Sequence, residues 1–351
     1  MNAITHNFYD AATGKIDFPA WKANDAEHAK QFRDYSLSDW MVNDQVGRAF
    51  LTPQLHRIEA ETYIRKYPSF DFASFMTVNE DGDMWDVGTV FYSMDAVGRA
   101  EFMSGKSFDM PYASTILDQF THGYHLAALG YEWTVQEMER AAKLGRSLPS
   151  DKAMAVDMGV QSTLFSLAMT GRLPGDTTSE KGWTGLVNNG SVPVANFAAD
   201  GTGSARTWAS KTPDQISRDF WEAINAVETA TGETHIATTA VLPTSRLRYL
   251  ESTRMTDTGS SVLAYILGGS ANSRTVNVRG SRLLETAGAS STARMIAYDN
   301  TQEVVRFHLP GRHTFLEPFR KASMVWEVPG IMNVGGTEVR LPKAIAYRDG
   351  L

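Results

Sequence analysis

The stretch Gly130-Tyr-Glu-Trp-Thr-Val-Gln-Glu137 contains the clearest helix start in this chain of 351 residues. Thr134 and Glu137 have the spacing of a capping box, in which the hydroxyl and the carboxylate each accept a hydrogen bond from an otherwise unpaired backbone amide. Gly145 is expected to end this helix. A second helix, expected over residues 150–170, is apolar on nearly every side, which predicts burial or packing on a neighbouring chain.

On the N-terminal side of this start, two strand-like runs predict a long β-hairpin. The runs are Trp85-Asp-Val-Gly-Thr-Val-Phe-Tyr92 and Arg99-Ala-Glu-Phe-Met103, and the connector Ser93-Met-Asp-Ala-Val-Gly98 is rich in turn residues. Polar segments, at residues 79–83 and 104–107, flank the pair. We therefore expect this hairpin to project from the body of the protein instead of lying in its core.

Residues 1–54 sustain neither a helical nor a strand period, apart from one short helix expected near residues 25–33. Their isolated aromatic residues cannot form a core of their own, but they are able to anchor the segment on another surface. We interpret this part as an extended arm, while an ordinary N-terminal tail fits the pattern equally well. A helix is expected from Leu55 until Pro68 ends it.

The C-terminal half mixes helices and strands. A second capping box, Thr212-Pro-Asp-Gln215, predicts a helix that ends at Gly232. A strand is expected over residues 235–242, followed by short helices over residues 245–251 and 259–267. Further strands are expected over residues 275–278, 293–298, 304–308, 324–328, 337–341 and 344–347. Because helices and strands do not alternate regularly, the predicted fold class is α+β.

The composition excludes several classes of protein. The chain has no cysteine, so it has no disulfides, no thiolate metal site and no cysteine nucleophile. Aromatic residues make up 11% of the chain, which excludes a disordered protein, and the net charge of −7 disfavours tight wrapping of duplex DNA. We find no signal peptide and no run of apolar residues long enough to span a membrane, so a soluble protein is expected.

The inventory of catalytic residues is thin. His122 and His125 are three apart and could share a helical face, but neither a third metal ligand nor a general base accompanies them, so interface or packing histidines are the favoured interpretation. The segment Gly201-Thr-Gly-Ser-Ala-Arg206 lacks the lysine of a phosphate-binding loop and is interpreted as a surface loop. The carboxylates of residues 79–83 are interpreted as a solvated turn. We predict no catalytic, cofactor-binding or metal site and no enzyme activity.

Four motifs occur in a fixed order along the chain. They are Asp95-Ala-Val-Gly-Arg-Ala100 in the hairpin, Asp109-Met-Pro111, the Gly130–Glu137 stretch, and Gly182-Trp-Thr-Gly-Leu-Val-Asn188. This series resembles tailed-bacteriophage major capsid proteins with the HK97-like fold, in the branch that is also similar to bacterial encapsulins. The resemblance extends from about residue 51 to the C-terminus.

The resemblance implies an architecture of arm, hairpin and two domains. The expected parts are an N-terminal arm (1–54), a lead-in helix (55–77), an extended hairpin or E-loop (78–106), a peripheral domain with the spine helix (107–182), an axial domain (183–302) and a C-terminal β segment of the peripheral domain (303–351). Gly145 to Pro149 interrupt the spine-helix region, so two helices or one bent helix are expected there. The arm is too short to contain a scaffolding domain, so any scaffold is expected to be a separate protein.

The resemblance also implies a function. The chain would self-assemble into pentamers and hexamers of an icosahedral phage head that encloses double-stranded DNA by loose contact, without cofactors. The implied partners are further copies of the chain, a portal, a scaffolding protein and a decoration protein; the implied location is the virion, assembled in the host cytoplasm. An encapsulin-type compartment is the alternative within this fold, and a metal-dependent hydrolase built on His122 and His125 is a distant one.

Ten residues are candidates for assembly or for shaping the fold. Three tryptophans are candidate anchors on a neighbouring subunit, although packing within the chain fits them equally well: Trp21, Trp40 and Trp85. Four residues belong to the motifs of the hairpin and of the step that follows it: Asp95, Gly98, Asp109 and Pro111. Three residues are expected to shape the turn into the axial domain: Gly182, Gly185 and Asn188.

Overall fold

The computed structural model describes residues 70–100, 112–143, 147–256, 259–268 and 275–351, together with two short strands near the N-terminus. Strand β1 (Tyr9–Asp10) pairs antiparallel with β2 (Lys15–Ile16). The chain divides into two compact units, Met1–Pro68 and Ser69–Leu351. The helices expected near residues 25–33 and 55–67 lie outside the described residues.

Two helices follow the Gly130–Glu137 stretch, α1 (Val135–Lys143) and α2 (Leu148–Thr170). The capping box of α1 is confirmed, since the Thr134 amide donates to Glu137 Oε2 and the Glu137 amide donates to Thr134 Oγ1, both at 3.2 Å. Helix α2 ends at Gly171, which has a φ of 68° and donates its amide to Leu167 O. The expected interruption therefore separates two helices.

The largest sheet of the described residues has five strands of mixed direction, with helices packed on it. Its strand order is β10-β9-β11-β18-β8, in which β9 and β10 run parallel, as do β18 and β8. The strands are β8 (Val194–Asn196), β9 (Thr239–Pro243), β10 (Asn277–Ser281), β11 (Arg294–Tyr298) and β18 (Ile345–Asp349). Helix α3 (Pro213–Thr231) contacts β11 and β18, and α4 (Thr244–Ser252) and α5 (Val262–Gly268) follow β9.

Helix α3 begins at the second predicted capping box. The Thr212 amide donates to Gln215 Oε1 at 2.9 Å, and the Gln215 amide donates to Thr212 Oγ1 at 3.4 Å. Gly232 ends the helix with a φ of 64°. The apolar face of α3 is completely buried, and it joins a core that continues through the sheet. Its largest fully buried members are Trp208, Phe220, Tyr298 and Tyr347.

Besides the five-stranded sheet, the described residues form three sheets of three strands each. The first has the order β17-β12-β3, from β3 (Thr77–Asn79), β12 (Val305–His308) and β17 (Gly336–Val339). The second has the order β13-β16-β6, from β6 (His125–Ala128), β13 (Gly311–Phe315) and β16 (Gly330–Val334). The third has the order β14-β15-β7, from β7 (Tyr131–Thr134), β14 (Phe319–Ala322) and β15 (Val325–Val328).

The hairpin is present, but the prediction of its second strand was wrong. Strand β4 (Gly88–Val97) pairs over ten residues with β5 (Ser114–Gly123), so the predicted connector from Ser93 onward is strand. Arg99 and Ala100 are not in a strand, and the rest of the predicted return run lies outside the described residues. Ser93 and Asp95 suggested a turn because polar residues are rare in buried strands. The side chains of this hairpin are exposed, and exposed strand positions accept polar residues.

Smaller differences concern where strands begin. Strand β9 starts at Thr239, not at His235, and it includes Pro243 as its last residue before α4. Strand β10 is displaced to Asn277–Ser281. The helices predicted near residues 245–251 and 259–267 are confirmed as α4 and α5.

Candidate assembly surface

The hairpin of β4 and β5 exposes one face without any charge. Directly opposite residues of an antiparallel pair share a face, and the register places Tyr92 opposite Gln119 and Met94 opposite Leu117. We call this the uncharged face; its eight members are Val90, Tyr92, Met94, Ala96, Thr115, Leu117, Gln119 and Thr121. Tyr92, Met94 and Leu117 are 62%, 68% and 61% exposed, which is unusual for three neighbouring large apolar side chains.

The opposite face of the hairpin differs in charge along its length. Near the turn it carries Asp95 and Asp118, and we call this part the acidic face. Near the body it carries Phe91 stacked on Phe120, with ring centroids 5.2 Å apart. The guanidinium of Arg340 lies 3.9 Å from the centre of the Phe91 ring. The hairpin therefore contacts the body through this face, at its base, and leaves the uncharged face open.

Trp85 lies just before the hairpin, and its side chain is 69% exposed. Of the three candidate tryptophan anchors it is the one in the described part of the chain, since Trp21 and Trp40 lie outside it. Its exposure does not support the alternative of packing within the chain. Asp95 and Gly98 also belong to the hairpin, whereas Asp109 and Pro111 lie outside the described residues.

A network of polar side chains ties the base of the hairpin to the body. His122 Nε2 lies 2.7 Å from Gly335 O, and the Tyr124 hydroxyl lies 3.2 Å from His308 Nδ1. His308 is buried, and its Nε2 lies 2.8 Å from Glu338 Oε2. Burial, with the neighbouring His308 as a smaller cause, lowers the pKa of His122 from its usual 6.5.

The charges around Glu338 stabilise its ionised form. Burial alone would raise the pKa of this carboxyl group. The hydrogen bond with His308 and the nearby guanidinium of Arg340 outweigh burial, so the pKa of Glu338 is lower than usual. Arg340 Nε lies 3.0 Å from Glu338 Oε2. Sequence reasoning did not single out these residues, because nothing local to any of them indicates that they meet.

His122 and His125 lie on strands and do not share a helical face. His122 ends β5 beside His308, with ring centroids 5.0 Å apart, while His125 begins β6 and lies 5.3 Å from the Trp183 ring. They belong to strands of different sheets because the chain changes sheet at Gly123 and Tyr124. No group of three or more potential metal ligands is found within the described ranges.

The loop of residues 182–188 closes the C-terminal end of α2. The amides of Leu186 and Val187 donate to the carbonyls of Ala168 and Met169, at 3.1 and 2.9 Å. Helix ends leave such carbonyls without partners, so the loop satisfies them. Gly182 has a φ of 70°, a conformation that favours glycine.

Asn188 holds this loop in place with both ends of its side chain. Its Oδ1 accepts from the Gly185 amide at 2.7 Å, and its Nδ2 donates to Thr170 O at 2.9 Å. A side chain on Gly185 would place its Cβ 2.2 Å from Met169 O, so only glycine fits there. Of the predicted residues, Gly182, Gly185 and Asn188 are thus brought together at one structural junction.

The body also has an open groove beside this junction. Its volume is about 380 Å³. It lies between β6, the end of α2 and Trp183, and its lining includes the exposed apolar side chains of Leu126 and Leu173. In the part of the chain that the structure describes, no helix is long and apolar enough to cross a membrane.

A family model described as "Major capsid protein" matches residues 98–351. This match covers well over half of the chain, and the chain therefore belongs to the major capsid protein family, whose members are structural proteins of the virion. The predicted family is confirmed, and the alternatives of an encapsulin shell and a metal-dependent hydrolase are not favoured. No curated protein sequence matches the chain.

Solved structures agree with the fold. The capsid of Myoviridae phage XM1 aligns with a TM-score of 0.71 at 18% identity, over 85% of this chain and 97% of that one. Structures from Microbacterium phage Oxtober96 and Gordonia phage Cozz align with TM-scores of 0.59 and 0.57 at 11% and 13% identity. They cover 86% and 84% of this chain, and 98% and 90% of their own. The predicted α+β class and HK97-like capsid fold are confirmed.

Proposed function

We propose that this chain assembles into pentamers and hexamers that close into the icosahedral head of a phage and enclose double-stranded DNA. The observation that carries this proposal is the uncharged face of the hairpin, which is open in the single chain. A two-stranded hairpin is at best marginally stable alone, and a neighbour that covers its apolar side stabilises it. We infer that the neighbour is another copy of the same chain, because the chain belongs to the major capsid protein family and closing a shell takes many copies.

The contact between copies has a defined direction in this proposal. One subunit offers the uncharged face of its hairpin, and the next accepts it on its body. Such head-to-tail contacts close into rings when the rotation between subunits allows it. Covering Tyr92, Met94 and Leu117 removes large apolar side chains from water, and each contributes about 1–3 kcal/mol when fully buried. Trp85 precedes the first strand of the hairpin, is exposed, and is a further proposed anchor.

We propose a separate role for each segment of the chain. Residues 1–54 act as an arm on neighbouring subunits, the hairpin as the extended loop, and residues 183–302 as the domain around the symmetry axes. The hairpin reaches at least to Gly123, well past the residue 106 expected from the sequence. A portal, a separate scaffolding protein and a decoration protein complete the set of proposed partners, and assembly takes place in the host cytoplasm.

A pair of neighbouring substitutions tests the uncharged face. Met94→Lys puts a charge on it, whereas Ser93→Lys puts the same charge on the acidic face one residue away, opposite Asp118. Both sites are exposed, so both variants are expected to fold as the wild type does. We expect Met94→Lys to reduce the yield of shells at least tenfold, because a buried unpaired ammonium group is costly, and Ser93→Lys to assemble nearly normally.

Size exclusion with light scattering and negative-stain microscopy measures both outcomes. A closed shell of about sixty copies has a mass of about 2.3 MDa, at 38.7 kDa for each chain. Equal assembly of the two variants would show that the uncharged face does not form the contact. A wild-type chain that stays a monomer, even with crowding agents or a scaffold partner, would contradict the proposed function itself.

A further inference from the structure

Two asparagines stand side by side where the loop of residues 182–188 ends, Asn188 and Asn189. An asparagine side chain is thermolabile when the backbone nitrogen of the next residue is able to reach its amide carbon. This reaction is fastest when that nitrogen makes no hydrogen bond and when the next residue has no side chain in the way. The two asparagines differ in both respects.

Asn188 is protected by its contacts. Its Oδ1 accepts from the Gly185 amide at 2.7 Å, and its Nδ2 donates to Thr170 O at 2.9 Å. The backbone nitrogen that follows it, that of Asn189, donates to the hydroxyl of the buried Tyr347 at 3.2 Å. The group that would leave and the nitrogen that would attack are therefore both held in other hydrogen bonds.

Asn189 lacks this protection. It is followed by Gly190, which is exposed and has no atom within 4 Å of the position that a Cβ would take. Among the described residues, neither the Gly190 amide nor Asn189 Nδ2 has a hydrogen-bond partner. The sequence contains no other Asn-Gly step. The leaving group and the attacking nitrogen are therefore both available at this one position.

The turn at Asn189 also favours the reaction. Asn189 Oδ1 accepts from the Ser191 amide at 2.9 Å, and this hydrogen bond folds the carboxamide over the Gly190 peptide. Attack by the Gly190 nitrogen on Cγ places a developing negative charge on Oδ1. The Ser191 N–H group is already in position to stabilise that charge.

We propose that Asn189 is a site of spontaneous covalent modification, at which the backbone nitrogen of Gly190 attacks Asn189 Cγ. The nitrogen loses its proton, the N–Cγ bond forms and the Cγ–Nδ2 bond breaks, so ammonia leaves and a five-membered succinimide remains. Water then opens the ring at one of its two carbonyl carbons and gives aspartate or isoaspartate. The net reaction converts asparagine and water into a carboxylate and an ammonium ion.

The two products have different consequences for the loop. Both add a negative charge to a chain whose net charge is −7. Aspartate retains the oxygen that accepts from the Ser191 amide. Isoaspartate carries the main chain through the former side chain, which lengthens the backbone next to the Tyr347 contact. Since the Tyr347 hydroxyl also donates to Leu186 O, we expect isoaspartate to loosen the loop that closes α2.

Peptide mapping of the full, unassembled chain after days in mildly alkaline buffer tests the proposal. Trypsin releases residues 182–206 as one peptide, which contains Asn188, Asn189 and Asn196. We expect this peptide to become about 1 Da heavier, with fragmentation placing the change at Asn189. The rate is expected to rise with pH, because the attacking nitrogen must lose its proton. Circular dichroism verifies that the chain stays folded throughout.

Gly190→Ala is the matched control, because its methyl group crowds the attacking nitrogen while the open surroundings allow the wild-type fold. It is expected to slow the conversion of Asn189 at least about tenfold. Asn189→Asp provides the reference for the aspartate product in ion-exchange chromatography. Equal rates in the wild type and in Gly190→Ala, or equal conversion of Asn188, would overturn the proposal. So would a folded chain that stays unmodified in buffer that converts the isolated peptide 182–206.

Discussion

Gly185 occupies a position where the backbone of one segment meets the end of a helix with no room between them. A Cβ on this residue would lie 2.2 Å from the carbonyl carbon and oxygen of Met169. The nearby Gly190 has no atom within 4 Å of the same virtual position and no positive φ. The two glycines, in the same loop region, therefore have opposite requirements.

Gly185→Ala is expected to lower the free energy of unfolding by about 1–3 kcal/mol, because the loop must move away from α2 and lose its hydrogen bonds with the helix end. Chemical denaturation of the unassembled subunit measures the change. Gly190→Ala serves as the control and is expected to stay within about 0.5 kcal/mol of the wild type. Similar losses in both variants would contradict the close approach at Gly185.

The sequence predicted the structural residues that contact near neighbours along the chain. Gly182, Gly185 and Asn188 lie within one loop, so their motif was visible. The polar network at the base of the hairpin was not predicted, because Tyr124 and His308 are 184 positions apart and meet only through the tertiary fold. The contact of His122 with Gly335 O likewise joins residues 213 positions apart, so the sequence alone did not indicate it.

The helices begin where short-range hydrogen bonds determine them, yet they differ in what they bury. Helix α3 buries a continuous apolar face against the sheet. Helix α1 has no buried residue among those described for it. A capping box therefore begins a core helix in α3 and a surface helix in α1.

Removal of the two caps is expected to have different effects on the whole subunit. Thr212→Ala should lower the free energy of unfolding by about 1 kcal/mol, since α3 unfolds together with the core. Thr134→Ala should change it by less than about 0.5 kcal/mol, because α1 is able to fray locally. Denaturation curves, with hydrogen exchange to detect fraying, distinguish them; equal global losses would show that α1 is part of the cooperative core.

The helices with local signals and five strands with apolar runs (β11, β12, β15, β17 and β18) were predicted close to their observed bounds, whereas exposed or irregularly paired strands were missed. Helices α1 to α3 follow from capping boxes and closing glycines within their own sequence. Strand β5 was missed because its residues are exposed on both faces and show no alternation of burial. The short strands β13, β14 and β16 were also missed. They form by pairing with other strands, in two cases with a break in register and in one case with the distant strand β6.

The chain as a whole consists of two compact units of unequal size, Met1–Pro68 and Ser69–Leu351. The large unit contains the entire buried core that the structure describes. We propose that residues 1–54, whose aromatic residues are isolated along the sequence, gain their stability from the neighbouring subunits that they contact.

Deletion of residues 1–40 is expected to leave a folded subunit, with a thermal midpoint close to that of the full chain, but to impair or destabilise shell assembly. Calorimetry of the subunit and negative-stain microscopy of assembled material measure the two properties separately. Shells of normal yield and stability from the shortened chain would contradict the arm assignment. Loss of the subunit fold would instead show that the arm belongs to the core.

The free strand edges of the hairpin have a consequence for the time before assembly. Strands β4 and β5 present backbone groups that no third described strand pairs, and exposed edges of this kind invite uncontrolled strand addition between molecules. Charged side chains on such strands discourage it. In two hairpins placed edge to edge, Asp95 and Asp118 would bring like charges together. We therefore expect these two carboxylates to disfavour the aggregation of unassembled subunits through their hairpin edges.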